Sequence, residues 1–347
     1  MKPLKAGAGS SVVESRGKKE FLMLHVENKI VRDLLLKGNI GLEKESLRVD
    51  QNGHMAHTPH PFDLTEEHIV RDFCENQTEI NTPVCHSAKE ACESLKYYYQ
   101  KIQRRLKDLP EPELLWPFSN PPYIRDEEDI PVARFEGAKA FKTVYREYLS
   151  DRYGRYKMTY SGIHFNFSFA EELLRADYEL EREEGEKKSF EAYKDQVYLN
   201  LAEHAASYGW LITAVTAASP LQDSSFVEKG VYDKDVFLGM ASVRCSELGY
   251  WNPFTPVFDY SSVSGYVKSI QDYVDEGLLR APSELYFPIR LKPRGENNLQ
   301  TLLERGIDHI ELRMFDLNPL DSVGVDERDI FFAQLFLIWL AAKPKGT

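Results

Sequence analysis

The most informative segment of the chain for its fold is Tyr160-Ser-Gly-Ile-His-Phe-Asn-Phe-Ser-Phe169. Apolar and polar side chains alternate along it with a period of two, which predicts a half-buried β-strand. One face carries isoleucine and phenylalanine and belongs to a core, whereas Gly162, His164 and Asn166 lie on the other face. His164 is then either a hydrogen-bonded structural histidine or a ligand. Gly162 allows a substrate or another part of the chain to approach the strand closely.

A second strand is predicted by Gly41-Leu-Glu-Lys-Glu-Ser-Leu-Arg-Val-Asp50, which ends at the turn Asn52-Gly53. Glu43 and Glu45 are two positions apart and therefore point to the same face. Two like charges side by side on a strand are unfavourable without a counter-ion. A solvated sheet edge would explain them, but Leu47 continues the same face and indicates that the carboxylates lie beside a buried surface.

The polar residues of a third predicted strand, within residues 71–84, also fall on one face. So many polar side chains on one strand need solvent or a ligand as their partner, and a solvated edge is again the simpler alternative. The residues are Glu75, Gln77, Glu79 and Asn81, with Asp72 at the entrance of the strand.

A fourth strand is predicted within Asp308-His-Ile-Glu-Leu-Arg-Met-Phe-Asp316, where apolar residues alternate with ionisable ones. Glu311 and Arg313 share the ionisable face. They form either a plain salt bridge or a site in which Glu311 holds a cation and Arg313 holds a phosphate.

Helical stretches are interspersed irregularly with these strands, and no repeating βαβ unit is present. This order predicts an α+β fold with a largely antiparallel sheet flanked by helices. We expect a disordered lead-in over residues 1–20 and a single domain over residues 21–347. The predicted helices are at about residues 22–36, 87–109, 139–151, 190–218 and 330–342.

The net charge of the 347-residue chain is −12, and no face rich in lysine and arginine is evident, so nucleic acid is not an expected partner. The most apolar segment, residues 330–342, is too short to cross a membrane. The four cysteines form no CxxC pair and no zinc-finger spacing, which favours a reducing cytoplasm. The expected protein is therefore a cytoplasmic enzyme.

Bringing four polar strand faces together in one sheet would be energetically unfavourable unless the sheet encloses a charged cavity that holds metal ions. Oxygen ligands with one imidazole suit Mg²⁺ or Mn²⁺ better than zinc. The sequence has no glycine pattern of a phosphate-binding loop, so ATP would have to be held by metals and arginine.

Several motifs, in order, resemble those of bacterial glutamate-cysteine ligases, and in particular the ligase module of bifunctional glutathione-synthesising enzymes. The similarity runs from near Gly38 to the end of the chain. The matching strings are Gly41-Leu-Glu-Lys-Glu-Ser-Leu-Arg-Val-Asp50, Asp72-Phe, Thr82-Pro-Val84, Trp116-Pro, Tyr145-Arg-Glu, Ser161-Gly-Ile-His-Phe-Asn-Phe-Ser168, Ala217-Ala-Ser-Pro220, Leu248-Gly-Tyr250 and Ile310-Glu-Leu-Arg313.

The resemblance implies a glutamine synthetase-like fold, whose curved antiparallel sheet forms a funnel-shaped active site. It also implies that ATP phosphorylates the γ-carboxylate of glutamate and that the amine of cysteine then displaces phosphate, the first step of glutathione synthesis. Glu311 and Arg313 would be catalytic, and Arg313 would contact phosphate. The implied metal ligands are Glu43, Glu45, Asp72, Glu79, His164 and Glu311, and the implied cysteine pocket is Phe73, Tyr145, Leu149, Arg244, Tyr250 and Tyr286.

Alternatives remain at three points. Phe73 and Leu149 would also suit a core. Where the resemblance leads us to expect a glutamine in the cysteine pocket, this sequence has Met158, which leaves another amine open as the substrate. The family also continues beyond the equivalent of Thr347, so a shorter natural relative, a truncated enzyme, or an inactive relative that binds nucleotide or a partner would each fit.

Overall fold

Strands and helices alternate irregularly along the chain in the computed structural model, which describes residues 24–183, 185, 187–226, 237, 239–249 and 251–343. Within these ranges the sheet has seven strands. They are β1 (Gly38–Val49), β2 (Ile69–Arg71), β3 (Gln77–Asn81), β4 (Leu114–Leu115), β5 (Ile163–Phe169), β6 (Ile289–Lys292) and β7 (His309–Phe315).

The sheet is antiparallel at each strand pair found in the described part of the chain. The strand order is β2-β3-β1-β5-β7-β6, and β4 pairs with the far end of β1. Strands that are distant in sequence, β1, β5 and β7, therefore lie side by side at the centre. The expected α+β fold with a mostly antiparallel sheet and flanking helices is confirmed.

The helices predicted at residues 87–109, 139–151 and 330–342 begin and end near the predicted positions, whereas α4, α7 and α8 were not predicted. Ser87 caps α2 by accepting a hydrogen bond from the amide of Glu90, and Asp326 and Asp329 form a capping box at the start of α9. The helices are α1 (Lys29–Leu34), α2 (Ala88–Lys107), α3 (Phe141–Tyr153), α4 (Glu171–Glu183), α5 (Phe190–Tyr208), α6 (Trp210–Thr216), α7 (Val263–Asp275), α8 (Leu299–Arg305) and α9 (Glu327–Ala341).

The main core lies between the sheet and the layer formed by α2, α5 and α9. Phe165, Phe167 and Leu312 are fully buried there, as the alternation in sequence predicts. The opposite face of these strands carries the polar residues. A smaller apolar cluster at the other end of β1 includes Leu47 and Phe73, so the carboxylates of β1 do lie beside a buried surface.

Three local predictions need correction. The helix predicted over residues 190–218 is two helices that meet at Gly209, where an added Cβ would lie 2.8 Å from Cε of Met314. Glu75 lies in the turn between β2 and β3 and pairs with Arg71 instead of sharing the strand face. The first helix begins only at Lys29, after the cap residue Asn28.

Residues 1–20, expected as a disordered lead-in, lie outside the described residues. The apolar stretch near the end of the chain forms the buried helix α9. Among the residues that the structure describes, no helix has both the length and the apolar character that crossing a bilayer requires.

Candidate active site

The polar faces of β3, β1, β5 and β7 meet across the sheet. We call the ionisable residues that they bring together the carboxylate row: Glu79, Glu45, Glu43, His164 and Glu311. The antiparallel register places Glu45 on β1 opposite Glu79 on β3, and Glu43 on β1 opposite His164 on β5. Farther along the row, Glu311 on β7 is opposite Asn166 on β5. Directly opposed residues have Cβ atoms only about 5 Å apart, so the sheet itself brings these side chains together.

Glu43, His164 and Glu311 form the tightest group, with one ligand atom from each lying within 4.8 Å of the others. Nδ1 of His164 lies 2.9 Å from a carboxylate oxygen of Glu43 and 3.4 Å from one of Glu311. Asn166 donates a hydrogen bond of 3.0 Å to the other oxygen of Glu43. These donors and acceptors hold the carboxylates in a fixed arrangement.

Burial raises the pKa of each carboxyl in this group, and nearby cations oppose that effect. For Glu43 burial is the largest single effect, but the hydrogen bond with His164 and the charges of His164 and Lys292 together outweigh it, so its pKa lies below the usual value. For Glu311 burial is outweighed by Arg313, Lys292 and His164 together, and its pKa is also held low. Both groups are therefore ionised and able to act as ligands.

Glu45 and Glu79 form a second carboxylate group beside the first. Burial raises the pKa of Glu45, and burial together with Asp72, Glu43 and Glu45 raises the pKa of Glu79 well above its ordinary value. The Nε2 atom of His164 lies 3.6 Å from Glu45, which links the two groups. Opposed carboxylates of this kind lack enough positive charge from the protein.

Three cationic side chains surround Glu311 from β6 and β7. Nη1 of Arg313 lies 3.3 Å from one oxygen of Glu311, and Nζ of Lys292 lies 3.4 Å from the other. Arg290 stands opposite Glu311 in the register of β6 and β7. One end of the row is therefore positive, and the other end is negative.

A β-bulge on β7 helps to aim Arg313. The register shifts between the pairs Ile163–Phe315 and Phe165–Leu312, so Arg313 and Met314 together stand opposite His164. Bulges bend a strand and redirect the side chains around them. The alternation in sequence predicts a regular strand at this point and gives no sign of the extra residue.

Most of the residues of the carboxylate row, together with Arg313, line a cavity of about 810 Å³. Glu311 is fully buried beneath it, and its contacts are with His164, Arg313 and Lys292. Tyr250, which was expected in the cysteine pocket, lies outside the described residues. The other predicted site residues line this cavity: Glu43, Glu45, Asp72, Glu79, His164, Arg313, Phe73, Tyr145, Leu149, Arg244 and Tyr286.

Arg244 lies on the cavity wall against Gly162. Its Nη1 and Nη2 atoms donate to the carbonyl oxygens of Phe315 and Arg313 at 3.2 and 3.0 Å. A Cβ on Gly162 would lie 2.1 Å from the guanidinium carbon of Arg244. The close approach predicted at Gly162 is therefore made by an arginine of the same chain. The amide of Gly162 also donates to Glu45 at 2.9 Å.

The end of the cavity next to the small core is mostly apolar. Phe73, Leu149 and Met158 are buried in that core and also line the cavity, so the core interpretation of Phe73 and Leu149 is confirmed, and their place in a cysteine pocket stays a prediction. Tyr145 and Tyr148, on α3, stack with ring centroids 6.3 Å apart.

Several residues in or beside the cavity were not predicted from the sequence. Lys292 and Arg290 lie beside Glu311 and not in the cavity lining. They alternate with apolar neighbours on β6, and that period-two pattern could have indicated them. Arg146 follows Tyr145 on α3, and its Nε donates to the carbonyl of Asp72 at 2.6 Å. Trp210 and Trp251 come from regions without a strand pattern, and nothing in the sequence singles them out.

The donor set fits a divalent cation that prefers oxygen. Two carboxylates and one imidazole provide the clustered ligand atoms, and among the described residues this cluster includes no cysteine. Mg²⁺ and Mn²⁺ take such ligands. Carboxylates beside Arg313 would also suit a metal-bound polyphosphate.

Comparison with known proteins shows the family of the chain. The family model for glutamate-cysteine ligase matches residues 23–278 and 255–346. The chain is 36% identical over 335 residues to a glutathione biosynthesis bifunctional protein of Clostridium perfringens, covering 93% of this chain and 42% of that relative. It is 37% identical over 324 residues to the corresponding protein of Listeria monocytogenes, covering 90% of this chain and 41% of the relative.

Solved structures give the same result for the fold. A bifunctional glutathione synthetase from Pasteurella multocida superposes with a TM-score of 0.81 at 30% identity, over 92% of this chain and 41% of that one. A glutamate–cysteine ligase from Francisella tularensis, solved in complex with AMP, gives a TM-score of 0.76 at 28% identity, over 90% and 68% of the two chains.

The chain spans about two fifths of the length of the curated relatives that it matches. The family model nevertheless covers nearly all the described residues, including each strand that contributes to the carboxylate row. With its antiparallel sheet, its ionisable strand faces and these matches, the chain belongs to the glutamate-cysteine ligase family.

Proposed function

We propose that this chain joins the γ-carboxylate of L-glutamate to the amine of L-cysteine at the expense of ATP, as in the first step of glutathione synthesis. The observation that carries the proposal is the group of Glu43, His164 and Glu311 with Arg313 beside it. Family membership supports the same reaction, and so does the AMP bound by the Francisella relative.

In the first half of the reaction, an oxygen of the glutamate γ-carboxylate attacks the γ-phosphorus of ATP. The bond from that phosphorus to the bridging oxygen breaks, and ADP leaves with the electron pair. Arg313 would contact the phosphoryl group in transfer, where a fixed cation stabilises developing negative charge. Its pKa is raised above the usual value by Glu311 and Glu45, against the effect of burial, so it stays charged.

In the second half, the cysteine nitrogen attacks the carbonyl carbon of γ-glutamyl phosphate. The carbon–oxygen bond to phosphate breaks, the amide forms, and the amine loses a proton. The apolar end of the cavity would hold the cysteine, with Phe73, Tyr145, Leu149, Arg244 and Tyr286 as its proposed contacts, together with Tyr250.

We assign the metal ligands to Glu43, Glu45, Asp72, Glu79, His164 and Glu311, with Mg²⁺ as the metal in the cell and Mn²⁺ as a substitute. A divalent metal at this site would neutralise the polyphosphate and orient it. The raised pKa of Glu45 and of Glu79 supports this assignment, since both carboxyls lack a cationic partner sufficient to keep them ionised.

The described residues would act as one catalytic domain, because the row of site residues draws on β1, β3, β5 and β7. A cytoplasmic location is part of the proposal, and the free state of the four cysteines supports it.

The test is an ADP-release assay with each substrate omitted in turn. We expect release only when glutamate, cysteine, ATP and Mg²⁺ are all present. Release that does not depend on glutamate would contradict the proposal. The substitution Glu43→Gln should abolish turnover, and an unchanged rate in that variant would exclude the metal-centred mechanism.

A related function, ligation of glutamate to a different amine, is favoured by one observation. Met158 is buried and lines the cavity beside Leu149, so the pocket offers a thioether and no amide there. A screen of amines in the same assay separates the two functions. If Met158→Gln greatly increases the use of cysteine, another amine is the natural substrate.

A further inference from the structure

Glu284 is a buried carboxylate that neither the metal site nor the phosphate site uses. It lies in the 3₁₀ turn Pro282–Glu284, and its side chain is fully buried. It does not line the cavity, but Tyr286, two residues later, does. A buried charge without a partner is strongly destabilising, so the contacts of Glu284 indicate what it does.

Three side chains of α3 contact the carboxylate of Glu284. The hydroxyl of Tyr153 donates to it at 2.5 Å, the hydroxyl of Tyr148 donates at 3.3 Å, and Nε of Arg152 lies 3.0 Å from it. Burial raises the pKa of Tyr153 and Glu284 raises it further, so this phenol remains a donor. The same helix carries Tyr145, which lines the cavity.

The other contacts of Glu284 lead to the segment that carries Tyr286, a second part of the cavity lining. The amide of Arg280 donates to the carboxylate at 2.6 Å. The side chain of Asn252 donates to the carbonyl of Glu284 at 3.2 Å and accepts from the amide of Tyr286 at 2.7 Å. One residue therefore joins the helix that carries Tyr145 to the segment that carries Tyr286.

We propose that Glu284 is a positioning residue that fixes the distance between the Tyr145 wall and the Tyr286 wall of the amino-acid pocket. Apolar packing alone would let α3 slide against this segment, whereas a carboxylate that accepts from several fixed donors permits one arrangement. This proposal rests on the proposed function, because it assigns the pocket between the two walls to the amine substrate.

The kinetic test uses Glu284→Gln, which keeps the size of the side chain and removes its charge. We expect the KM for the amine to rise about tenfold, while the KM for ATP and kcat change by less than about threefold. Tyr153→Phe removes one donor without altering the carboxylate, and should raise the same KM by a smaller factor.

The matched control is Glu113→Gln. Glu113 is a buried carboxylate that pairs with Arg48 and lies outside the cavity lining. The substitution Glu113→Gln should lower the melting temperature without changing the KM for the amine. If Glu284→Gln and Glu113→Gln alter the kinetic constants alike, or if the KM for ATP rises as much as the KM for the amine, Glu284 is merely structural.

A second measurement does not depend on turnover. Amide hydrogen exchange in Glu284→Gln should accelerate in residues 141–153 and 280–286 together, and stay unchanged in residues 163–169 of the central strand. Acceleration in only one of the two segments overturns the proposal. If the wild-type chain releases no ADP with any amine, the proposed function fails, and the exchange result still decides whether Glu284 joins the two walls.

Discussion

Among the buried charged groups of the described residues, two are built differently. Arg48 and Glu113 form an ion pair of 2.5 Å, and Nη1 of Arg48 also donates to Thr58. Along the carboxylate row, Glu45 stands opposite Glu79, and burial holds the pKa of both above the usual range. In the first group the positive charge of Arg48 is paired with the negative charge of Glu113. In the second, carboxylates face each other, and under the proposed function a metal ion supplies the positive charge that would distinguish a binding site from a structural ion pair.

The largest effect should come from Glu79→Gln, which tests the functional side of this comparison. Glutamine resembles the protonated carboxyl that the raised pKa of Glu79 favours, so the unfolding free energy should stay the same or increase. Turnover should fall about a thousandfold if Glu79 holds metal. Rate measurements check the turnover, and chemical denaturation of the same preparation checks the unfolding free energy. If Glu79→Gln is less stable than the wild type but fully active, Glu79 is a structural residue and not part of a binding site.

Glu113→Gln tests the structural side. Removing one partner of a buried ion pair leaves Arg48 uncompensated, and we expect the unfolding free energy to fall by about 3 kcal/mol. At a temperature where the variant is still folded, kcat should equal that of the wild type. Urea denaturation gives the first quantity, and the ADP assay gives the second. A loss of activity in the folded variant would mean that this pair also supports the site.

Adding Mg²⁺ or Mn²⁺ should stabilise the protein through the carboxylate row. At a hundred times the dissociation constant, a ligand that binds only the folded state adds about 2.7 kcal/mol to the unfolding free energy. Thermal unfolding with and without metal measures this. Glu113→Gln should show the same increment as the wild type, and Glu79→Gln should show less. If metal increases the unfolding free energy of both variants equally, the metal binds outside the carboxylate row.

Gly162→Ala should have the smallest effect. The new methyl group would displace the guanidinium of Arg244, which loses its two hydrogen bonds to backbone carbonyls, at a cost of about 1–2 kcal/mol. The KM for the amine should rise while the KM for ATP stays constant. Gly41→Ala is the control, because its Cβ would lie 3.6 Å from Asn166, an ordinary contact. Equal effects of both substitutions would show that Arg244 has no special role.

Much of the fold follows from local patterns in the sequence. The alternation in residues 160–169 correctly predicts a strand with one apolar face, that in residues 41–50 correctly predicts a strand, and Ser87 correctly predicts the start of α2. Period and capping are local properties, and sequence reveals them directly. The break at Gly209 depends on Met314, which packs against it from a distant strand, so no local pattern predicts it.

The site was predictable in its residue types and less so in its arrangement. Strand alternation and the family resemblance together indicated eleven of the residues that line the cavity, whereas others, such as Trp210 and Trp251, were not indicated. The register that sets Glu45 against Glu79, and the bulge that sets Arg313 and Met314 against His164, arise from pairing between distant strands. The role of Glu284 depends on tertiary contacts with α3, and the sequence around it gives no sign of them.

The order of the strands in the sheet has a consequence for folding. Glu45 and Glu79 come from strands close in sequence, whereas Glu43 and His164 are 121 positions apart and Glu311 is farther still. Contacts between residues so distant form late, because closing long loops is entropically unfavourable. During synthesis the chain would therefore present one carboxylate pair long before the histidine and the final glutamate arrive. High-affinity metal binding would then mark the completion of folding.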